Sequence, residues 1–358
     1  MPLPPTAPAA PDADPAPQRR QRRGGSGLTV TDLARIAGVS PMSVSRALNA
    51  PHQVSDEIRA KVQAAVAATG YVANRVAGSL ASRRSRLIGT VLPSLAGSVF
   101  EGLVQALIGA LGEAGYQVML GQSGYGVQYD DRFLDALIGR RPDGIVLCGV
   151  RPSPDGVRRL QATGLPVVET WDMVAEPIDL VVGFSHERIA TAVAQHFLAL
   201  GRSAFAFAGG DHPRAGRRGQ AFAEAIRADS MGRKDPLPVC LETVAAPGTV
   251  GAGRSALQRI LAQQPHTDAI FCSSDMLALG MITEARARRI AVPEQLAIVG
   301  FGDASFAADV DPPLSTVRID AAGIGHRVAQ ALLDRIDGRE VADPVIDVGF
   351  ELVLRATA

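Results

Sequence analysis

The chain has little cysteine, few aromatic residues and no long apolar run. Its three cysteines, Cys148, Cys240 and Cys272, lie far apart and form no C-x-x-C pair, which argues against a disulfide framework or a zinc site. Aromatic residues make up 4% of the 358 residues, and no window approaches the roughly 18 continuous apolar residues of a membrane helix. The start of the chain holds no apolar segment of the secretory type, so we expect a cytoplasmic protein without a membrane partner.

Catalytic and metal-binding patterns are also missing. The six histidines show no H-x-x-H or H-E-x-x-H spacing, so the sequence predicts no metal site. GQSGY fails the G-x-S-x-G pattern at its last position, and GFGD lacks the third glycine of a dinucleotide-binding loop. Glu169 and Asp172 follow a predicted strand and offer an acid/base pair, but we favour hydrogen-bonding groups of a cleft, because no further catalytic groups accompany them. We therefore predict no enzyme activity and no cofactor.

The charge of the chain is balanced overall but uneven along its length. Basic and acidic residues number 36 each, yet residues 1–86 hold twelve basic side chains against five acidic ones. That segment therefore carries +7, and residues 87–358 carry −7. A basic head on an acidic body indicates a polyanion partner for the head alone, with a merely solvated basic surface as the alternative.

Residues 29–70 carry the start and stop signals of three short helices. The expected caps are Thr29 and Gly38 for the first helix, Ser40 for the second, and Ser55 and Gly70 for the third. Leu33, Ile36 and Ala37 recur at helical spacing and are expected to form the apolar face of the first helix. The glycine turn between the first two helices predicts a helix-turn-helix.

The second of these helices has a polar outer face that suits DNA. Its outward residues are expected to be Pro41, Met42, Ser45, Arg46 and Asn49. Arg46 is able to make a bidentate contact with guanine, worth about 1–3 kcal/mol of discrimination between bases. A small helical protein-binding module is the alternative to a DNA-binding head.

From Leu87 onward, short apolar segments alternate with helical stretches. The predicted strands are LIGTVLP, QVMLGQ, DGIVLCG, PVVETW, DLVVGF, AFAFAGG, AIFCSSD, LAIVGFGD and STVRID. This alternation predicts an α/β body of doubly wound parallel sheets. So many strands exceed one comfortable sheet, and we expect two lobes with a ligand cleft between them. Taken alone, the body would also fit a sugar-binding receptor.

Together these motifs resemble the LacI/GalR family of bacterial transcriptional regulators. The resemblance rests on A-G-V-S-x-x-[ST]-V-S-R-x-L-N, present as AGVSPMSVSRALN, and on G-Y-x-x-N, present as GYVAN. It extends from Thr29 to the C-terminus. It implies a helix-turn-helix head, a hinge helix and a body similar to periplasmic sugar-binding proteins. Such a protein is expected to bind double-stranded operator DNA as a homodimer, under the control of a small effector.

The resemblance also implies boundaries along the chain. Residues 1–26 are expected to form a disordered tail, because proline, alanine and arginine dominate them. The helix-turn-helix domain follows at 27–73, a hinge helix or linker at 74–85, and an effector-binding and dimerisation core at 86–358. Within the core, lobe 1 is expected at about 86–184 plus 313–340, and lobe 2 at about 185–312 plus 341–358.

DNA contacts are expected on the head and the hinge. They are Thr29, Thr31, Ser40, Pro41, Met42, Ser45, Arg46, Asn49, Ser55, Tyr71, Asn74, Ala77 and Leu80. In the family, paired hinge helices of a dimer enter the minor groove, where a leucine, here Leu80, wedges between base steps. Gly78 lowers the helicity of this segment, so the hinge is expected to order only on DNA.

Effector contacts are expected in the cleft of the body. They are Ser94, Phe100, Glu169, Asp172, Arg218, Ser274, Asp275 and Phe301. Arg218 lies four residues before an aromatic residue, as does the effector-binding arginine of the family, and a guanidinium is able to clamp a carboxylate or vicinal hydroxyls. Asp275 has a second interpretation, as a cap of the helix that follows it.

Within the family, the body is most similar to gluconate-responsive repressors. The similar segments are LPSLAGSVF, GYQVML, GLPVVE, DLVVGF and DVGFEL. Many sugar-binding members carry an aspartate after V-G-F, where this chain has Gly302. The missing acid removes a hydroxyl acceptor and also a group that repels anions. The resemblance therefore implies gluconate or a related aldonate as the effector, with a neutral sugar as the alternative.

Overall fold

The computed structural model describes residues 28–72, 84–95, 99–125, 131–232 and 234–358. The chain divides into two compact units, residues 1–78 and residues 79–358. The described part of the first unit is helical, and the second unit is α/β, as the sequence predicts. No helix in the described ranges is long and apolar enough to cross a membrane.

The first unit, the head, is built from short helices with local caps. Its elements are α1 (Val30–Ala37), α2 (Pro41–Asn49), a 3-10 turn (Pro51–Gln53) and α3 (Asp56–Thr69). The predicted caps are confirmed: Thr29, Ser40 and Ser55 each accept a backbone N–H from the helix that follows. Gly38 and Gly70 adopt left-handed conformations, with φ of 66° and 63°, and end α1 and α3.

The core of the head differs from the predicted one at a single position of α1. The buried apolar residues are Leu33, Ala34, Val44, Val62, Ala65 and Tyr71. Ile36, expected to face inward, is 48% exposed. Because Leu33 and Ala34 both face the other helices, the buried stripe of α1 is rotated away from Ile36.

Among the described residues, the body contains two six-stranded sheets. The first is all parallel, in the order β11-β5-β4-β3-β1-β2. Its strands are β1 (Leu87–Leu92), β2 (Gln117–Gln122), β3 (Gly144–Cys148), β4 (Val167–Thr170), β5 (Leu180–Gly183) and β11 (Val345–Asp347). The second has the order β12-β10-β9-β8-β6-β7, with β12 antiparallel to β10. Its strands are β6 (Phe205–Gly210), β7 (Val239–Val244), β8 (Ala269–Cys272), β9 (Ala297–Phe301), β10 (Ser315–Arg318) and β12 (Glu351–Val353).

Helices cover these sheets and define two lobes. They are α4 (Glu101–Glu113), α5 (Asp131–Ile138), α6 (Pro154–Thr163), α7 (His186–Ala199), α8 (Pro213–Asp229), α9 (Val250–Gln263), α10 (Asp275–Ala287) and α11 (Ala321–Ile336). In the first lobe α11 packs on α4, while in the second lobe α7 packs on α8 and α9 packs on α10. The main apolar core contains residues from both sheets.

Sheet pairing corrects two of the predicted lobe assignments. Strand β10, expected in lobe 1, pairs with β9 and belongs to lobe 2. Strand β11, expected in lobe 2, pairs with β5 and belongs to lobe 1. The chain therefore crosses between lobes after β5, after β10 and after β11, and strand exchange of this kind depends on long-range pairing rather than on local sequence.

Candidate DNA-binding surface and effector cavity

The predicted DNA contacts of the head lie mostly on its surface. The exposed ones are Thr29, Thr31, Ser40, Pro41, Met42, Ser45, Arg46, Asn49 and Ser55. Tyr71 is the exception, because only 8% of it is exposed and it packs in the head core. Asn74, Ala77 and Leu80 lie outside the described residues, as does the expected hinge helix at 74–85 up to residue 83.

Several of these exposed side chains already have hydrogen-bond partners. Ser40 Oγ accepts from the Ser43 backbone N–H at 3.1 Å, and Ser55 Oγ accepts from Ile58 at 3.4 Å. Asn49 Nδ2 donates to the Ser45 carbonyl at 3.0 Å. The serines thus hold the helix N-termini in place, and any contact they make with phosphates would add to that role.

Arg46 and Met42 are the freest groups on this face of α2. Met42 is 63% exposed. Within the described part of the chain, the Arg46 side chain forms no hydrogen bond or ion pair. An exposed guanidinium without an internal partner suits recognition of guanine, and an exposed thioether suits apolar contact with a thymine methyl group.

In the body, a cavity of about 390 Å³ lies between the two lobes. The first lobe contributes the carboxyl ends of its parallel strands with the loops after them, and the second contributes the first turn of α8. This effector cavity is lined by Pro93, Ser123, Gly124, Tyr125, Leu147, Gly149, Val150, Arg151, Glu169, Thr170, Asp172, Val174, His212, Pro213, Arg214 and Arg217. Strand ends facing a helix N-terminus form a common site for small polar ligands, and the volume suits a sugar-sized one.

Glu169 lines the cavity, but both of its oxygens are engaged by the protein. Arg151 Nη1 donates to Glu169 Oε1 at 3.1 Å, and the Ile178 backbone N–H donates to Oε2 at 2.6 Å. Burial raises the pKa of the Glu169 carboxyl group, while the Ile178 N–H and Arg151 oppose that rise. Glu169 therefore serves first to hold Arg151 and the loop before β5.

Asp172 also lines the cavity and is paired across the lobes. Its Oδ1 accepts from the Met173 N–H at 2.8 Å, and its Oδ2 accepts from Arg217 Nη2 of α8. Burial raises the pKa of Asp172, and the charge of Arg217 opposes the rise. The Asp172–Arg217 pair thus joins the loop after β4 to the helix that forms the opposite wall.

Arg214 differs from its neighbours because no described carboxylate forms an ion pair with it, although the charge of Asp172 acts on it from a distance. Its guanidinium forms no hydrogen bond or ion pair with the described residues. It lies against Gly149, where an added Cβ would be 2.7 Å from Nη1. Burial lowers the pKa of Arg214, yet an arginine remains cationic at neutral pH. With three arginines and two carboxylates, the lining carries a net positive charge that attracts anions.

His212 is the N-cap of α8 and adds a polar group to the same wall. Its Nδ1 accepts from the Ala215 backbone N–H at 3.3 Å and caps the helix. Burial, with the charges of Arg214 and Arg218, lowers the pKa of His212 to about 3. The imidazole is therefore neutral at neutral pH, with the proton on Nε2, where it is a donor.

Arg218, the predicted clamp, lies behind the cavity rather than on its lining. It is 3% exposed and stacks on the Phe301 ring, with Cζ 4.1 Å from the ring centroid. Its Nη1 bonds His186 Nδ1 at 3.0 Å, and its Nη2 donates to the Ser273 carbonyl at 3.1 Å. Burial lowers the pKa of Arg218 to about 9. Its role as an effector contact remains a prediction.

Three other predicted effector residues, Ser94, Phe100 and Phe301, are buried and do not line the cavity. Phe100 and Phe301 belong to an aromatic cluster with Trp171 and Phe184, in which neighbouring ring centroids are 4.9–6.2 Å apart. Ser94 is 4% exposed. The cluster lines the boundary between the lobes and stabilises their junction.

Ser274 and Asp275 have structural partners in the second lobe. Ser274, not Asp275, is the N-cap of α10, so the capping interpretation of Asp275 is wrong. Asp275 is 2% exposed and accepts from Thr316 Oγ1 and the Ala304 N–H, each at 2.6 Å. It therefore ties α10 to the loop after β9.

His212, Arg214 and Arg217 were not predicted as cavity residues. A signal was present in HPRAGRR, because these residues follow a buried strand that ends in two glycines and open a helix. Helix N-termini after parallel strands attract anions, and three arginines within five residues strengthen that attraction.

A helix-turn-helix with an exposed reading helix and a two-lobed body with a polar cavity define a ligand-responsive DNA-binding regulator. The lacI family model of bacterial regulatory proteins matches residues 29–74, and a periplasmic binding protein-like domain matches residues 194–358. The HTH-type transcriptional regulator GntR of Pseudomonas aeruginosa is 36% identical over 91% of this chain and 94% of its own.

Solved structures agree with these matches. A LacI family regulator from Silicibacter pomeroyi superposes with a TM-score of 0.84 at 29% identity, over 92% of this chain and 99% of its own. The transcription regulator GntR from Chromobacterium violaceum gives 0.70 at 35% identity, over 76% and 98%. The chain belongs to the LacI family of DNA-binding transcriptional regulators, which are not enzymes. The resemblance seen in its sequence is confirmed.

Proposed function

We propose that this regulator is a repressor of sugar-acid catabolism genes whose affinity for DNA is set by gluconate or a related aldonate. The unpaired Arg214 guanidinium in the effector cavity carries this proposal. A partly buried cation without a hydrogen-bonded counter-ion is costly, and a ligand carboxylate would supply that counter-ion. A neutral sugar would leave Arg214 without an ion-pair partner.

Other polar groups of the cavity suit the hydroxyl chain of an aldonate. Arg217 and the Nε2–H of His212 offer donors, and the Ser123 hydroxyl lies on the wall contributed by β2. The similarity of the body segments to gluconate-responsive repressors supports the same ligand class. Together these features favour a linear sugar acid over a neutral ring.

DNA recognition is assigned to α2, with Arg46 as the principal base reader and Met42 as an apolar contact. We further propose that the protein acts as a homodimer in the cytoplasm, where its operator lies. Two heads would then read the two halves of a palindromic site.

Calorimetric titration of the purified protein with D-gluconate, 6-phosphogluconate, D-glucose and D-ribose tests the effector class. We expect heat from at least one acid and none from the neutral sugars at the same concentrations. Binding of glucose or ribose without binding of either acid would contradict the proposal.

A further inference from the structure

We propose that Asp172 is a built-in counter-ion that an anionic effector displaces from Arg217, so that this ion pair selects acids over neutral sugars. The inference rests on the proposed function only in taking the effector to be an anion. It changes the role of Asp172 from an effector contact, as its position in the sequence indicated, to a competitor of the effector.

The geometry of Arg217 permits such an exchange. Its side chain is 42% exposed and lines the effector cavity, so a ligand reaches it directly. Asp172 occupies Nη2 of the guanidinium, and Glu187 Oε1 lies 3.7 Å from Nη1. Arg214 and Arg217 lie about one turn apart on α8 and both line the cavity, so one carboxylate is able to contact both. The second oxygen of the carboxylate that Arg214 binds would replace Asp172 at Nη2, and the Arg217 guanidinium would keep one charge-assisted hydrogen bond throughout.

His186 offers a second hydrogen-bond partner for the Asp172 carboxylate once that carboxylate leaves Arg217. His186 is fully buried, and its Nδ1 lies 3.0 Å from Arg218 Nη1. Because a guanidinium nitrogen only donates, Nδ1 accepts and Nε2 carries the proton. That buried Nε2 has no hydrogen-bond partner in the described structure, and it lies 3.9 Å from Asp172 Oδ1. A movement of about 1 Å would bring the two atoms to hydrogen-bond distance.

The backbone just before Asp172 is strained, and backbone strain of this kind is common in segments that switch between two conformations. Trp171 has a φ of 68°, a left-handed conformation that is unusual for a large side chain. The Asp172 carbonyl packs so closely on Gly183 that an added Cβ there would lie 1.9 Å from it. Packing therefore holds the strained loop, and the loop places Asp172 between Arg217 and His186.

This exchange discriminates between ligands by charge. An incoming carboxylate offers Arg217 a charge-assisted bond equal in kind to the one it loses. A neutral hydroxyl brings no negative charge to replace that of the Asp172 carboxylate, so it does not displace Asp172. The exchange also couples effector binding to the contact between the lobes. Asp172 belongs to the first lobe, whereas Arg217, His186 and Arg218 belong to the second.

The test compares the wild-type protein with Asp172→Asn by calorimetry, using D-gluconate and its neutral analogue D-glucitol at constant ionic strength. Removing the competitor should tighten gluconate binding by about tenfold or more, while glucitol should gain nothing. Asp135→Asn is the matched control, since Asp135 forms an ion pair with Arg159 away from the cavity. It should change gluconate affinity less than about twofold. Asp172→Ser replaces the first variant if that one fails to fold.

A separate readout needs no variant. Trp171 is the only tryptophan of the chain and precedes Asp172, so gluconate should change its fluorescence and glucitol should not. Weaker or unchanged gluconate binding by Asp172→Asn would overturn the exchange alone, and so would an unchanged Trp171 signal on gluconate binding. A wild-type protein that binds no sugar acid would overturn both the exchange and the proposed function.

Discussion

The first two turns of α8 carry three arginines, and each of these identical side chains lies in a different environment. Arg214 faces the cavity without a partner, Arg217 is paired with Asp172, and Arg218 is buried against Phe301. The sequence pointed to Arg218 through the family pattern, because a pattern records position and residue type. It did not point to Arg214, because pairing is decided by which carboxylates the fold brings near.

Replacement of Arg214 tests its assignment as the reader of the effector carboxylate. Arg214→Gln keeps a polar side chain that donates hydrogen bonds, although a shorter one with fewer donors, and removes its charge. Loss of one charge-assisted bond should weaken D-gluconate binding about 10- to 100-fold in calorimetry. Arg158→Gln, an exposed arginine of α6 paired with Asp155, should leave the affinity unchanged. Equal gluconate affinity in the wild-type and Arg214→Gln proteins would show that the carboxylate binds elsewhere.

Arg46 is the corresponding residue of the head. Arg46→Ala should cost about 1–3 kcal/mol of preference for operator over random DNA, because one bidentate base contact is lost. Competition between labelled operator and unlabelled random DNA measures that preference directly. Met42→Ala provides the comparison and should cost less, since the thioether makes no hydrogen bond to a base. A variant lacking Arg46 that still prefers the operator by the wild-type factor would disprove its role as base reader.

At the scale of elements, features that depend on neighbouring residues were predicted correctly. Features that depend on contacts with distant parts of the chain were not. The caps Thr29, Ser40 and Ser55 were predicted because a cap depends on a few neighbouring residues. Strands β7, β11 and β12 were not predicted. Strand β7 lies at a sheet edge with alternating exposure, and the other two have three residues each. The buried stripe of α1 likewise depends on the neighbouring helices.

The histidine that caps α8 makes the free energy of unfolding of the body depend on pH, and the direction of that dependence follows from its pKa. Burial and the nearby arginines lower the pKa of His212 to about 3, while an unfolded histidine titrates near 6.5. Below about pH 6.5 the unfolded chain takes up a proton that the folded chain does not, so the free energy of unfolding falls toward acid. Burial also lowers the pKa of His186, which acts in the same direction.

His212→Asn isolates the contribution of His212, because asparagine is a good N-cap that does not titrate. The stability advantage of the wild-type body over this variant should shrink by about 1–2 kcal/mol between pH 7.5 and pH 5 in urea unfolding. Parallel pH profiles for the two proteins would mean that His212 is protonated in the folded state.

At the scale of the whole molecule, the sequence predicted a DNA-binding head and a two-lobed body, and both are present. It placed β10 and β11 in the wrong lobes because strand exchange is set by pairing between distant segments. The passage of strands between the two lobes matters for function. Three crossings and the aromatic cluster of Phe100, Trp171, Phe184 and Phe301 join the lobes. We therefore expect a ligand that changes one lobe to act on the other.

We propose that an acid bound at Arg214 controls the affinity of the head for DNA. The most direct measurement is fluorescence anisotropy of labelled DNA from upstream of the regulated operon, with and without saturating D-gluconate. We expect gluconate to change the DNA Kd at least about tenfold in the wild-type protein. For Arg214→Gln, gluconate at the concentration that saturates the wild-type protein should leave the DNA Kd unchanged. Glucose should not change the DNA Kd of either protein. The same gluconate response in both proteins, or a Kd that gluconate does not alter in the wild type, would contradict the claim.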